Sequence, residues 1–387
     1  MRRRAGLALA CAALAAGCGS QAATTGSAGP APVTAPLATS LVTAQGSWAV
    51  TVMGGSAATH DNFWQLFVRP AGASRWSLAT PPGVADNGGL VTAGAATSLV
   101  VGFRPSLGLT YSPLAASTDA GRTWTTGLLD AALADVPDAL AVAPSGRALA
   151  LTGDGTVETA GSAAAAAAGQ WSRLASLRTL ASAAVGRSCG LVALSAVSFG
   201  SHNTPMTAGS CARRGVAGVF AEHGGTWQAA GPALPARFGA DQVQMLRLAG
   251  VPGGAVAVLL AGTSLLAAWQ HGAAWSVSAP AAAGAVRASG FGPGGSVWLL
   301  LGGGRAETAA GPGAAWRPLP AVPAGTATLA AGPGWLDALA VEGARLTVYQ
   351  MAGSPAGSSG WAAYAPPGGR WVKEQVINVP IQYGSSG

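Results

Sequence analysis

Apolar positions along this chain fall in short runs with turn residues between them. Leu140-Ala-Val-Ala143, Arg147-Ala-Leu-Ala-Leu-Thr152, Thr156-Val-Glu-Thr-Ala160, Ala255-Val-Ala-Val-Leu-Leu260 and Ser296-Val-Trp-Leu-Leu-Leu301 are examples. Runs of this length bounded by Gly and Pro read as β-strands, and runs apolar on both faces read as strands sandwiched between two other layers. The punctuation is regular. Pro144-Ser-Gly146 and Gly153-Asp-Gly155 separate the strands of one repeat, and Val251-Pro-Gly-Gly254, Gly292-Pro-Gly-Gly295 and Gly332-Pro-Gly334 open three later ones. Pro presets φ in such turns and Gly supplies positive φ. Nothing in the pattern reads as a long helix.

A tryptophan closes each group of strands. Trp76, Trp124, Trp171, Trp227, Trp275, Trp316 and Trp361 recur with gaps of 41 to 56 residues. Self-similarity at this period, carried by short strands and Gly-rich turns, predicts an all-β, seven-bladed β-propeller of four-stranded antiparallel blades over residues 37–387. The tail Trp371-Val-Lys-Glu-Gln-Val-Ile-Asn-Val-Pro-Ile-Gln-Tyr383 is β-rich. It either adds an outer strand or closes the ring against the first blade, and Trp371 competes with Trp361 as the last repeat tryptophan. Ala163 to Ala168 is helix-prone, yet it lies in a turn before Trp171 and is read as a floppy low-complexity insertion.

One repeat is written out in full. Ser117-Thr-Asp119-Ala-Gly121-Arg-Thr-Trp124 matches the pattern S-x-D-x-G-x-x-W. The carboxylate can accept backbone N–H groups inside a tight hairpin, the glycine takes a left-handed conformation and the indole packs beneath. This motif resembles the Asp-box of the sialidase and BNR-repeat propellers. Glu222, Gly224 and Trp227 keep its offsets in part, and Gln270, Gly272 and Trp275 keep them more weakly. The resemblance implies a structural turn between the third and fourth strands, away from any active site. The family includes photosystem assembly factors, whose ring docks protein partners.

The N-terminus predicts export. Met1-Arg-Arg-Arg4 is a positive segment, Ala5 to Ala13 is a short apolar stretch, and Leu14-Ala-Ala-Gly-Cys18 resembles the lipobox of bacterial lipoproteins. That resemblance implies a signal peptide over residues 1–17 and acylation of Cys18, which anchors the chain to the outer face of the cytoplasmic membrane. The alternative is a cleaved signal with a coincidental cysteine, and Arg3-Arg4 leaves a twin-arginine route open. Residues 18–36 carry no charge and no periodicity and read as a flexible tether.

Composition fits that location. The formal charge of +7 falls to +4 once the three signal arginines are gone, and the remaining arginines are spread over the whole ring. No basic stripe with interleaved aromatics appears, which argues against a nucleic-acid partner. Cys11 belongs to the signal and Cys18 to the lipid, so Cys189 and Cys211 remain. If strands of about 191–198 and 204–210 form a hairpin, the two cysteines face each other across its open end, and an oxidising compartment makes a disulfide there. The bond is expected to pin the long connection from Leu174 to Ser188. No metal site and no cofactor are expected.

Candidate chemistry gathers on the face that carries the blade-to-blade connections and the loops from second to third strand. His60, Asp61, Arg104, Tyr111, Asp130, Asp135 and Asp138 are the candidate ligand-binding residues, with Asp86, Asp154 and Asp241 on the same side. An acidic funnel of this kind suits a ligand or cation, and ordinary solvated loop is the plainer reading. A sialidase-like hydrolase needs an arginine cluster, a Tyr–Glu pair and an acid/base carboxylate. Phe103-Arg104-Pro105 is reminiscent of its arginine motif, but Tyr111, Tyr349, Tyr364 and Tyr383 lack an evident Glu partner. His60, His202, His223 and His271 do not converge in one blade, and no G-x-S-x-G elbow or H-E-x-x-H helix is present. The expected function is a non-catalytic binding or assembly platform in the cell envelope, monomeric, with an envelope protein or glycan as partner. A sialidase-like glycoside hydrolase or glycan-binding lectin is the alternative, and a ligand-free spacer is a third possibility.

Overall fold

The computed structural model describes residues 38–54, 62–81, 89–104, 110–282, 284–352 and 369–380. Among them, seven four-stranded antiparallel meanders follow one another along the chain. Blade one holds β1 (Ala38–Thr43), β2 (Gly46–Gly54), β3 (Asn62–Pro70) and β4 (Ser77–Leu78). Blade two holds β5 (Leu90–Ala95), β6 (Ser98–Phe103), β7 (Ser112–Ser117) and β8 (Thr125–Leu129). Blade three is β9 (Leu140–Val142), β10 (Ala148–Leu151), β11 (Thr156–Ala160) and β12 (Ser172–Ser176). Blade four is β13 (Leu191–Phe199), β14 (Pro205–Cys211), β15 (Gly218–His223) and β16 (Thr226–Ala229). Blade five comprises β17 (Val243–Val251), β18 (Gly254–Ala261), β19 (Ser264–His271) and β20 (Ala274–Val277), and a short β21 (Ala281–Ala282) also pairs with β19. Blade six comprises β22 (Val286–Phe291), β23 (Val297–Leu301), β24 (Ala306–Ala309) and β25 (Arg317–Pro318). Blade seven comprises β26 (Thr326–Gly332), β27 (Trp335–Glu342), β28 (Arg345–Ala352) and β29 (Arg370–Asn378).

The core lies between blades, as the two-sided apolar runs require. Trp48 and Leu66 of blade one pack with Leu99 and Phe103 of blade two. Val219 of blade four packs with Val243 and Leu259 of blade five, and Val256 of blade five with Leu299 of blade six. Trp298 of blade six meets Leu329 and Leu336 of blade seven, and Leu339 and Leu346 of blade seven meet Phe63 and Phe67 of blade one. That last cluster closes the ring. The inner strands β1 and β22 also pair in parallel, from Ala38↔Ala288 to Ser40↔Gly290, which joins blades one and six into one continuous sheet.

The tail makes contacts on two sides. β29 pairs with β28 as the outer strand of blade seven, and Gln375 exchanges two 2.8 Å hydrogen bonds with the Trp76 backbone in blade one. Trp371 begins this fourth strand as the other repeat tryptophans begin or precede theirs, and Trp361 lies outside the described residues. The indoles also latch neighbouring blades. Trp275 donates to the Ala230 carbonyl (2.7 Å), Trp371 to the Pro320 carbonyl (3.3 Å) and Trp76 to Asp337 (2.8 Å), each reaching the preceding blade.

Two expectations change. The alanine run is not a floppy insertion but a helix, α1 (Ala163–Ala167), capped by the Ser162 hydroxyl. It is ordered by packing: Ala163, Ala166 and Ala167 are buried in the cluster formed by blades two and three. The connection before blade four is also helical, with α2 (Leu177–Ser182) inside a Ser176–Thr179 capping box and α3 (Ala184–Cys189) ending at left-handed Gly190. The Cys189–Cys211 disulfide is present with a Cα–Cα distance of 5.3 Å. Cys211 ends β14 opposite Leu191, so Cys189 sits on the helix just ahead of the hairpin and the bond ties α3 to blade four. Residues 1–37, with the expected signal, lipidation site and tether, lie outside the described residues.

Candidate functional site

Antiparallel meanders sort their connections by face. Hairpins from first to second and from third to fourth strand emerge on one face, and the remaining loops emerge on the other, the mouth face. The eight-residue motif occupies its expected place on the first, between β7 and β8. Ser117 donates to Asp119 (2.7 Å), Asp119 accepts from the Thr123 N–H (2.9 Å) and hydroxyl (2.7 Å), and the Gly121 N–H donates to Ser117 (2.8 Å). Those donors, with Thr123 foremost, hold the Asp119 pKa down at about 2. Gly121 sits at φ 79°, the left-handed conformation the turn calls for.

The mouth face is less uniform than the sequence suggests. His60, Asp61 and Asp86 lie outside the described residues. Tyr111 is exposed beside β7, Asp130 is exposed at the end of β8, and Asp241 is half-buried against Gly262. Asp154 caps its own turn, accepting from the Thr152 and Thr156 hydroxyls and the Thr156 N–H, and the Thr152 hydroxyl leads in lowering its pKa.

The fold brings Arg104 and Asp135 together. The Arg104 side chain is 9% exposed and that of its ion-pair partner Asp135 is 83% exposed. Gly89 makes the space: it sits at φ +103°, and a Cβ there would lie 2.5 Å from Arg104 Nη2. Burial lowers the Arg104 pKa, and its Nε has no hydrogen-bond partner among the described residues. A desolvated guanidinium held by one exposed carboxylate is a group with unspent capacity for an anion.

Asp138 belongs to a different structure. It is 7% exposed and lies two residues before β9, paired to Ala196 of β13. Arg247 of β17 donates to it from Nε (3.1 and 3.0 Å) and Nη2 (3.0 Å), and the Leu248 N–H adds a 2.7 Å bond. From the same guanidinium, Nη1 donates to the carbonyl and hydroxyl of Ser289 (2.9 Å each), and the plane lies 4.9 Å from the Phe291 ring. One carboxylate and one arginine thus staple blades three to six at the inner strands.

Arg69 and Asp337 form a second staple, which the sequence did not single out. Arg69 Nη1 stands 2.6 Å from Asp337 Oδ2, which also accepts from the Trp76 indole, and the guanidinium lies 3.9 Å from the Trp335 ring centroid. Burial pushes the Asp337 pKa up against the pull of Arg69 and Trp76. Its members lie 268 residues apart, so only the closed ring reveals it. A cleft of about 320 Å³ lies between the α2–α3 connection and the β15–β16 turn, lined by Thr179, Leu180, Val185, Gly225 and Trp227. Among the described residues no group of three His, Cys, Asp or Glu side chains is placed to hold a metal ion.

No protein-family model matches the chain, and no curated protein does. Solved structures do match. A family-74 xyloglucanase from Xanthomonas campestris aligns at 13% identity and a TM-score of 0.53, covering 82% of this chain and 52% of the enzyme. A protein from Lactobacillus plantarum aligns at 12% identity and a TM-score of 0.50, covering 87% of this chain and 97% of its own. The chain is a β-propeller. YCF48 from Cyanidioschyzon merolae also aligns, at 16% identity and a TM-score of 0.43 over 82% of this chain and 94% of its own. At these identities the likeness extends to the propeller fold alone, and the chain spans about half the length of the xyloglucanase it matches.

Proposed function

We propose that this propeller is a non-catalytic binding or assembly platform of the bacterial cell envelope, exported and held by a lipid on Cys18 at the outer face of the cytoplasmic membrane. The observation that carries the reading is the state of the two buried carboxylates among the described residues. Asp138 and Asp337 are each gripped by an arginine and by further donors, and both staple blades together. Glycoside hydrolysis asks for two carboxyl groups free to exchange protons across about 5–9.5 Å. Carboxylates committed to ion pairs serve rigidity, and a rigid ring presenting loops on one face is what docking needs.

Arg104 favours the second reading, a sialidase-like hydrolase or glycan-binding lectin, because its buried guanidinium can accept a ligand carboxylate. Incubating the mature chain with sialylated and xyloglucan oligosaccharides, with product masses followed over time, separates the two. The platform reading expects every oligosaccharide intact. Release of sugar that disappears in Arg104→Ala would replace it with the hydrolase.

A further inference from the structure

Three segments converge around the disulfide: the α2–α3 connection, the loop from β14 to β15 and the connection from blade four to blade five. The Arg213 N–H donates to the Cys189 carbonyl (2.9 Å), the Gly215 N–H to the Asp241 carbonyl (2.8 Å), and Gln242 Nε2 to the Cys211 carbonyl (2.6 Å). These segments carry Arg178, Arg187, Arg213, Arg214 and Arg237, all exposed, against the single acid Asp241. Backbone carbonyls, not carboxylates, orient three of them: Ser182 holds Arg187, Ser188 holds Arg213 (3.5 Å) and Ala240 holds Arg214 (2.9 Å). The fold gathers these arginines into one basic rim. Val192, 57% exposed, stands beside it at the start of β13.

Where the chain enters the ring says what this rim meets. β1 begins at Ala38, and the first residue of an inner strand lies on the mouth face, the face of the arginines. Cys18 stands twenty residues earlier. Twenty residues can reach no further than about 70 Å. An acyl group on Cys18 thus keeps the arginine face within reach of the bilayer. We propose that the arginine rim docks the propeller on anionic phospholipid headgroups, which turns the loops of blades one to three toward whatever the membrane holds. The orientation rests on the lipid anchor proposed above; the charge complementarity does not.

The test uses the mature chain from residue 18 carrying Cys18→Ser, so that no acyl group contributes, in co-sedimentation with phosphatidylglycerol-containing or pure phosphatidylcholine vesicles. Binding is expected to the anionic vesicles only and to fall with added salt. Arg178→Gln, Arg213→Gln and Arg214→Gln together should weaken it by about 100-fold. Arg75→Gln with Arg122→Gln, exposed on the opposite face, should leave it unchanged, with matched thermal unfolding as the folding control. Equal binding to both vesicles, or full binding by the rim variant, overturns the proposal. So does retention by soluble polyglutamate without vesicle binding, which would assign the rim to an acidic polymer. Fatty-acid labelling of the wild-type chain reads the anchor separately, so an unlabelled Cys18 would remove the lipid and leave the vesicle result standing.

Discussion

Arg247 and Asp138 stand 109 residues apart and meet as a buried ion pair, Nη2 to Oδ1 at 3.0 Å, on the inner strands of the ring. Neither has an apolar environment to itself. The pair sits where four blades converge, and Nη1 of the guanidinium finds two acceptors on Ser289 of blade six. Such a pair is worth more as a constraint on arrangement than as net stability, since both charges had to leave water.

Breaking it from one side should therefore be severe. Arg247→Met leaves the Asp138 carboxylate buried without its partner and is expected to cost about 3–5 kcal/mol in urea unfolding. Adding Asp138→Leu to the same chain should recover a large part of that loss. A single variant as stable as the wild type would mean the pair does not staple the blades.

Two carboxylates should respond to pH with opposite sign. Asp119 is held at about 2, below the unfolded value near about 3.9, so its contribution is full above that value and lost as pH falls toward about 2. Asp119→Asn should lower the melting temperature at neutral pH, with the gap closing through that acid range. Asp337 is raised by burial, so its contribution is kept below the unfolded value and declines as pH rises through the folded one. The gap between wild type and Asp337→Asn should be widest in acid and narrow upward. Melting curves across pH check both directions.

The disulfide closes a sequence separation of 22 residues. Constraint of the unfolded chain at that loop length is worth about 3 kcal/mol. Cys189→Ala with Cys211→Ala should lose roughly that amount, and limited proteolysis should then cut first within α2 and α3, which the bond fastens to blade four.

Gly127 tests the alanine helix. A Cβ there would lie 1.8 Å from the Ala167 carbonyl oxygen, backbone that cannot step aside. Gly127→Ala should destabilise the fold by about 1–3 kcal/mol and raise hydrogen exchange at residues 163–168 above that of the rest of blade three.

What the sequence disclosed was local or periodic. The tryptophan spacing from Trp76 to Trp316, the Pro-Gly hairpins and the Ser117–Trp124 turn are written by near neighbours, and each appears where the pattern predicts. The disulfide was legible because two cysteines remained and a hairpin lay between them. The site was much less so. Asp138 reads as one more loop acid until Arg247 arrives from two blades away, and Arg69, Asp337 and Trp76 share no local signature at all. The arginine rim depends on three connections that the folding of blade four brings together. The alanine run misled because its low complexity hides the packing that orders it, which comes from blade two.

Photocrosslinking in intact cells tests the platform reading most directly. A photoreactive aromatic in place of Tyr111, exposed on the mouth face, is compared with the same group in place of Arg75 on the opposite face. The account predicts a discrete envelope-protein adduct from position 111 and none from position 75. Adducts from both positions alike, or from neither, would contradict a platform that docks its partner through the mouth of the ring.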